Sequence, residues 1–79
     1  MRLDKFLKVS RLIKRRTVAN EACDAGRVTV NGKTAKASQD VKVGDVIEIG
    51  FGTREVKVRV LEVQETVKKE VARELFEYL

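Results

Sequence analysis

The sequence predicts an α+β fold: two packed N-terminal helices on a small, mostly antiparallel sheet, with a short C-terminal helix. Three observations predict it. Apolar residues recur every three or four positions before Gly26, every second position in stretches between Arg27 and Val60, and every four positions from Val67. Asn31-Gly32 is the strongest short hairpin signal a sequence offers. The chain has 79 residues, 43% of them apolar, which suits one small core and a single domain over 1–79.

Each element has its own signature. Leu3, Phe6 and Leu7 fall on one face of a first helix, with Arg2, Lys5 and Lys8 as a stripe beside it. A break is expected near Ser10 to Lys14. Thr17 is the expected N-cap of a second helix over 17–25, whose apolar face is Val18, Ala19, Ala22 and Cys23, and Gly26 is its natural left-handed terminator. Val28 and Val30 form a strand, Asn31-Gly32 a type I′ turn, and Lys33 to Lys36 a short polar return strand. Val43-Gly44-Asp45 turns into a strand at 46–49, and Phe51-Gly52-Thr53 turns again into a strand over 54–63. There Val56, Val58 and Val60 face inward while Glu55, Lys57 and Arg59 face water. Val67, Val71, Leu75 and Leu79 then predict an amphipathic helix over 67–78, with Arg73 pairing Glu70 and Glu77.

Composition excludes most chemistry. The chain contains no His, so the imidazole-activated Ser and Cys nucleophiles are ruled out. Its single Cys forbids an internal disulfide or a multi-Cys metal site, and suits a reducing compartment. Cys23 lies on an apolar helix face and reads as a small buried hydrophobe. There is no phosphate-binding G-x-x-x-x-G-K-[ST] loop. No apolar run approaches the ~18 residues of a membrane span, and no signal peptide follows Met1. A non-enzymatic, cytoplasmic protein without metal or cofactor is expected.

Charge is the positive signal. The net charge of +5 is divided unevenly: residues 1–36 carry ten basic and three acidic side chains, whereas 37–79 carry seven and nine. Seven cations (Arg2, Lys5, Lys8, Arg11, Lys14, Arg15, Arg16) fall within the first sixteen residues, interrupted only by Asp4. A run such as Lys14-Arg15-Arg16 alone is ordinary solubilising surface. Seven together repel one another unless a polyanion relieves them, which points to nucleic acid. The free N–H groups at the start of the second helix would face the same way. Phe6, Phe51 and Phe76 are expected in the core, so a stacking platform for splayed bases is missing, and phosphate and shape recognition of structured RNA fits better. A DNA-reading second helix is the competitor, but Glu21 and Asp24 on its exposed face would be repelled by the groove walls.

The segments Arg2-Leu3-Asp4-Lys5-Phe6-Leu7, Arg27-Val28-Thr29-Val30-Asn31-Gly32-Lys33 and Val43-Gly44-Asp45, with a basic joint between the helices, resemble the S-four RNA-binding domain over about residues 1–50. The opening residues, Lys14-Arg15-Arg16-Thr17 and the small size resemble the stand-alone bacterial branch, of the RqcP and fifteen-kilodalton heat-shock protein type. That resemblance implies an αL-motif RNA-binding core completed by strand 54–63 and helix 67–78. It implies a role in ribosome-associated quality control, on large ribosomal subunits obstructed by peptidyl-tRNA. The expected partners are large-subunit ribosomal RNA, the tRNA and, again by resemblance, an elongation factor that adds an alanine tail to the stalled chain.

Arg2, Lys5, Arg15, Arg16, Arg27 and Lys33 match basic positions of the family motif; Lys8, Arg11 and Lys14 join them from the charge pattern. Asn31-Gly32 carries over as a turn, not a contact. Lys14-Arg15-Arg16-Thr17 stands where many such domains have Ser-Arg-Ser, and the long basic extension of the heat-shock type is missing after Leu79. The basic face argues for a monomer. A ribosome-assembly or tRNA-binding protein of the same family, outside quality control, is the alternative.

Overall fold

The computed structural model describes residues 1–64 and 69–79. Two short helices come first, α1 (Leu3–Val9) and α2 (Arg16–Asp24). Four strands follow, β1 (Val28–Val30), β2 (Lys33–Thr34), β3 (Val46–Phe51) and β4 (Arg54–Val60), and then a 3-10 helix (Lys69–Leu75) and β5 (Phe76–Tyr78). All pairings are antiparallel, in the order β2-β1-β3-β4-β5. Among the described residues no helix is long and apolar enough to cross a membrane.

One sheet face makes the core. Val28, Val30, Ile47, Ile49, Val58 and Val60 pack with Leu3, Phe6 and Leu7 of α1 and Ala19 and Cys23 of α2. Phe6 is fully buried, and Phe6→Ala would cost about 3–5 kcal/mol. The opposite face carries Glu48 against Lys57 at 3.6 Å and Arg59 against Glu77 at 2.9 Å. That face neutralises itself, in keeping with the nearly balanced second half of the chain.

Helix ends decide how the basic residues are aimed. Helix α1 has no side-chain N-cap; its first free donors, the Leu3 and Asp4 N–H groups, reach the Gln39 and Ala37 carbonyls at 2.8 and 3.1 Å. The chain between β2 and β3 thus holds the start of α1. Helix α2 ends as expected at Gly26, with φ of 73°. Gly26 N–H donates to Cys23 and Arg27 N–H to Ala22, the paired bonds of a Schellman motif. Asn31 and Gly32 both have positive φ, the type I′ geometry.

Several expectations are corrected. Helix α2 begins at Arg16 with Arg15 as N-cap, so Thr17 lies inside the first turn and caps nothing. Strand β4 ends at Val60, short of residue 63, because Leu61 and Glu62 N–H groups turn to the Leu75 carbonyl. The helix predicted over 67–78 is a 3-10 turn followed by a strand; residues 67 and 68 lie outside the described residues. Ala72 and Leu75 are three apart and both buried, which fits the tighter helix, and 76–78 then pair with the otherwise open edge of β4. Glu77 pairs with Arg59; the side chains of Glu70 and Arg73, and with them the expected Arg73 pairs, lie outside the described residues. Phe51, expected in the core, is 40% exposed at the last position of β3.

Candidate nucleic-acid interface

The centre of the basic region is an acid. Asp4, in the first turn of α1, is only 2% exposed. Its side-chain ion-pair partners are half-exposed arginines. Arg2 donates through Nε and Nη2 to its two carboxylate oxygens at 3.2 and 3.3 Å. Arg16 meets it from the first turn of α2, with Nε at 3.3 Å and Nη2 at 3.4 Å. Asn20, one turn further along α2, donates at 3.4 Å, and the Lys5 N–H at 2.8 Å. Burial alone would raise the Asp4 pKa, but the hydrogen bonds from Arg16, the Lys5 N–H and Arg2 outweigh it and hold the carboxyl below its ordinary value.

This arrangement brings two of the expected residues together. Arg2 and Arg16 approach one carboxylate from different elements, each with about half of its side chain exposed. Arg2 and Asn20 also border a groove of about 550 Å³ between α2 and residues 34–38, where Lys36 and Ser38 form part of the wall. Lys8 is exposed on α1, while Lys5 is half-buried. Arg11, Lys14 and Arg15 are exposed along the connection between the helices.

Arg11 stands out in its backbone. It follows the Ser10 C-cap of α1 with φ of 67°, the place Gly26 takes after α2. Its N–H donates to Lys8 and that of Ile13 to Leu7, a loosened version of the α2 ending. A left-handed conformation at a residue with a Cβ costs about 1–2 kcal/mol.

Arg27 and Lys33 are placed elsewhere. Arg27 lines a small hollow with Glu48 and Glu55, and Lys33 lines another with Asp40 and Asp45. Both are exposed, and each shares its hollow with two acids. Asn31 acts as the turn expected of it: its Oδ1 accepts from Val46 N–H at 3.0 Å and its Nδ2 donates to Asp45.

Sequence reasoning missed Asp4 and Asn20. The signal was present: Asp4 is the one acid among the first sixteen residues, and Arg16 and Asn20 are spaced to share a helix face. Cys23, close behind, is 4% exposed, with its thiol pushed up to about 11 by burial and by Asp4 and Asp24.

Comparison with known proteins identifies the family. The S4 domain family matches residues 1–47. A Halalkalibacterium halodurans protein named RQC P-site tRNA stabilizing factor is 61% identical over 98% of this chain and 88% of its own length. Its Bacillus subtilis namesake is 57% identical over 100% of this chain and 92% of its own. Among solved structures, the trimeric Heat Shock Protein 15 of Vibrio cholerae superposes with a TM-score of 0.92 at 29% identity, covering all of this chain and 81% of that one. The chain therefore belongs to the S4 domain family, among the relatives that carry the name RQC P-site tRNA stabilizing factor.

Proposed function

We propose that this protein is a non-catalytic RNA-binding factor of ribosome-associated quality control. It binds ribosomal RNA and tRNA together on large subunits obstructed by peptidyl-tRNA, acts as a monomer, and supports alanine tailing of the stalled chain by an elongating partner. The observation that carries this reading is the pair Arg2 and Arg16, joined through buried Asp4, in a segment where seven cations and one acid fall within the first sixteen residues. The names of the full-length relatives support the quality-control setting.

The physical role follows from the charge. Two RNA backbones brought side by side repel each other, and a rigid cationic body between them neutralises both. With aromatic residues at 5% of the chain, contacts to phosphates rather than stacked bases supply the affinity. Holding the tRNA in register requires no bond to be made or broken by this protein.

Deleting the gene tests the reading. Ordinary translation should continue, while a reporter lacking a stop codon should yield shortened or missing alanine tails on a resolving gel. The Arg2→Ala/Arg16→Ala double variant should reproduce the deletion. Tails of normal length in the deletion strain would overturn the quality-control assignment.

A further inference from the structure

The geometry points to Asp4 as a positioning residue for RNA: its buried carboxylate holds Arg2 and Arg16 by the same edge so that their outer edges grip one backbone phosphate. The inference deepens the proposed function and rests on it. Three observations carry it. Both guanidiniums use the same edge, Nε with Nη2, against Asp4. That leaves the Nη1 side of each turned away from the carboxylate, on side chains about half exposed. An arginine presents a planar fork that matches two oxygens of a phosphate, so fixing one edge aims the other.

The second observation is that two cations share a single anion. Arg2 and Arg16 each lie within 3.4 Å of the same carboxylate and would repel one another there, and the Asp4 charge is what allows both to stay. Its ionised state is secured by the same contacts. The third is that the carboxylate itself is held. Its backbone is pinned by the Ala37 carbonyl and its oxygens by Asn20 and the Lys5 N–H, so the pair sits on rigid elements and not on free side chains. A phosphate meeting them encounters donors already ordered, and little side-chain entropy remains to be lost.

Asp4→Asn tests this, because charge and geometry predict opposite signs. Removing the acid raises the net charge by one, so a purely electrostatic face would bind RNA more tightly. Positioning predicts about 10-fold weaker binding, equivalent to about 1.4 kcal/mol. Affinity is measured for a short RNA hairpin and, separately, for obstructed large subunits. In the Asp4→Asn background, Arg16→Ala should then cost much less than it does in the wild type. Equal or tighter hairpin binding by Asp4→Asn, or fully additive losses, would overturn the inference. Normal hairpin binding with no subunit binding by the wild type would instead overturn the proposed function and leave the Asp4 result readable.

Charge-conserving variants cover the case in which Asp4→Asn does not fold. Arg2→Lys and Arg16→Lys keep the cation but cannot hold Asp4 by an Nε/Nη2 edge. Each should bind the hairpin about as poorly as the matching Ala variant, within about 3-fold. Lys variants that bind like the wild type would overturn the inference.

Discussion

Asp4 and Arg16 are separated by twelve residues and belong to different helices, yet their carboxylate and guanidinium meet at 3.3 Å. That contact ties the fold to its basic face. It helps dock α2 against α1 and at the same time sets the direction of a cation that RNA would meet.

The first consequence concerns acid stability. The folded Asp4 carboxyl titrates below its ordinary value of 3.8, so the unfolded chain takes up that proton first as the pH falls. The stability Asp4 contributes is present above the ordinary value and is lost as the pH drops through the folded one. Melting temperature should therefore fall on acidification below about pH 4, and Asp4→Asn should melt lower at neutral pH with a flatter acid limb. A variant whose acid limb parallels that of the wild type would show that the contact is not supporting the fold.

Salt should act on binding more than on folding. Seven clustered cations can reach four or five phosphates, which gives a log–log slope of about −3 to −4 between RNA affinity and salt. A filter-binding titration that returned a slope shallower than about −1 would point to apolar contacts instead.

Arg11 separates fold from function. Arg11→Gly relieves the left-handed backbone at φ of 67°, offset in part by the flexibility of glycine in the unfolded chain. Stability should rise by roughly 0.5–1 kcal/mol in a urea melt, while RNA affinity falls by about 3-fold. If affinity is unchanged, Arg11 lies outside the interface.

Cys23 should be inert. With Cys23 only 4% exposed and its thiol pKa pushed up to about 11, alkylation by iodoacetamide at pH 8 should run about 100-fold slower than for a free thiol. Rapid labelling of the folded protein would place Cys23 outside the core.

Much of this was legible in the sequence, and the rest was hidden for identifiable reasons. Gly26 and Asn31-Gly32 occupy backbone conformations that few other residues adopt, so local chemistry alone located those turns. The alternation of Val56, Val58 and Val60 declared its own buried face. The end of the chain did not declare itself. Val71, Leu75 and Leu79 keep helical spacing while Phe76-Glu77-Tyr78 alternates as a strand, and the choice is made by an edge of β4 that no local pattern reveals. Phe51 misled because the period of β3 is right while its last residue outruns the core. The basic face was found by counting, but its organising centre is a single acid, which counting treats as an interruption.

The decisive measurement is co-sedimentation of purified protein with large subunits carrying peptidyl-tRNA. The Arg16→Ala variant should lose about 1.5–3 kcal/mol of binding, the scale of a charge-assisted hydrogen bond, and melt somewhat below the wild type, because buried Asp4 loses one partner while keeping Arg2, Asn20 and the Lys5 N–H. Lys57→Ala serves as the control, since Lys57 pairs with Glu48 on the self-neutralised face of the sheet and should change neither. Undiminished sedimentation of the Arg16 variant, or an equal loss from the Lys57 variant, would contradict an RNA interface centred on Arg2, Asp4 and Arg16.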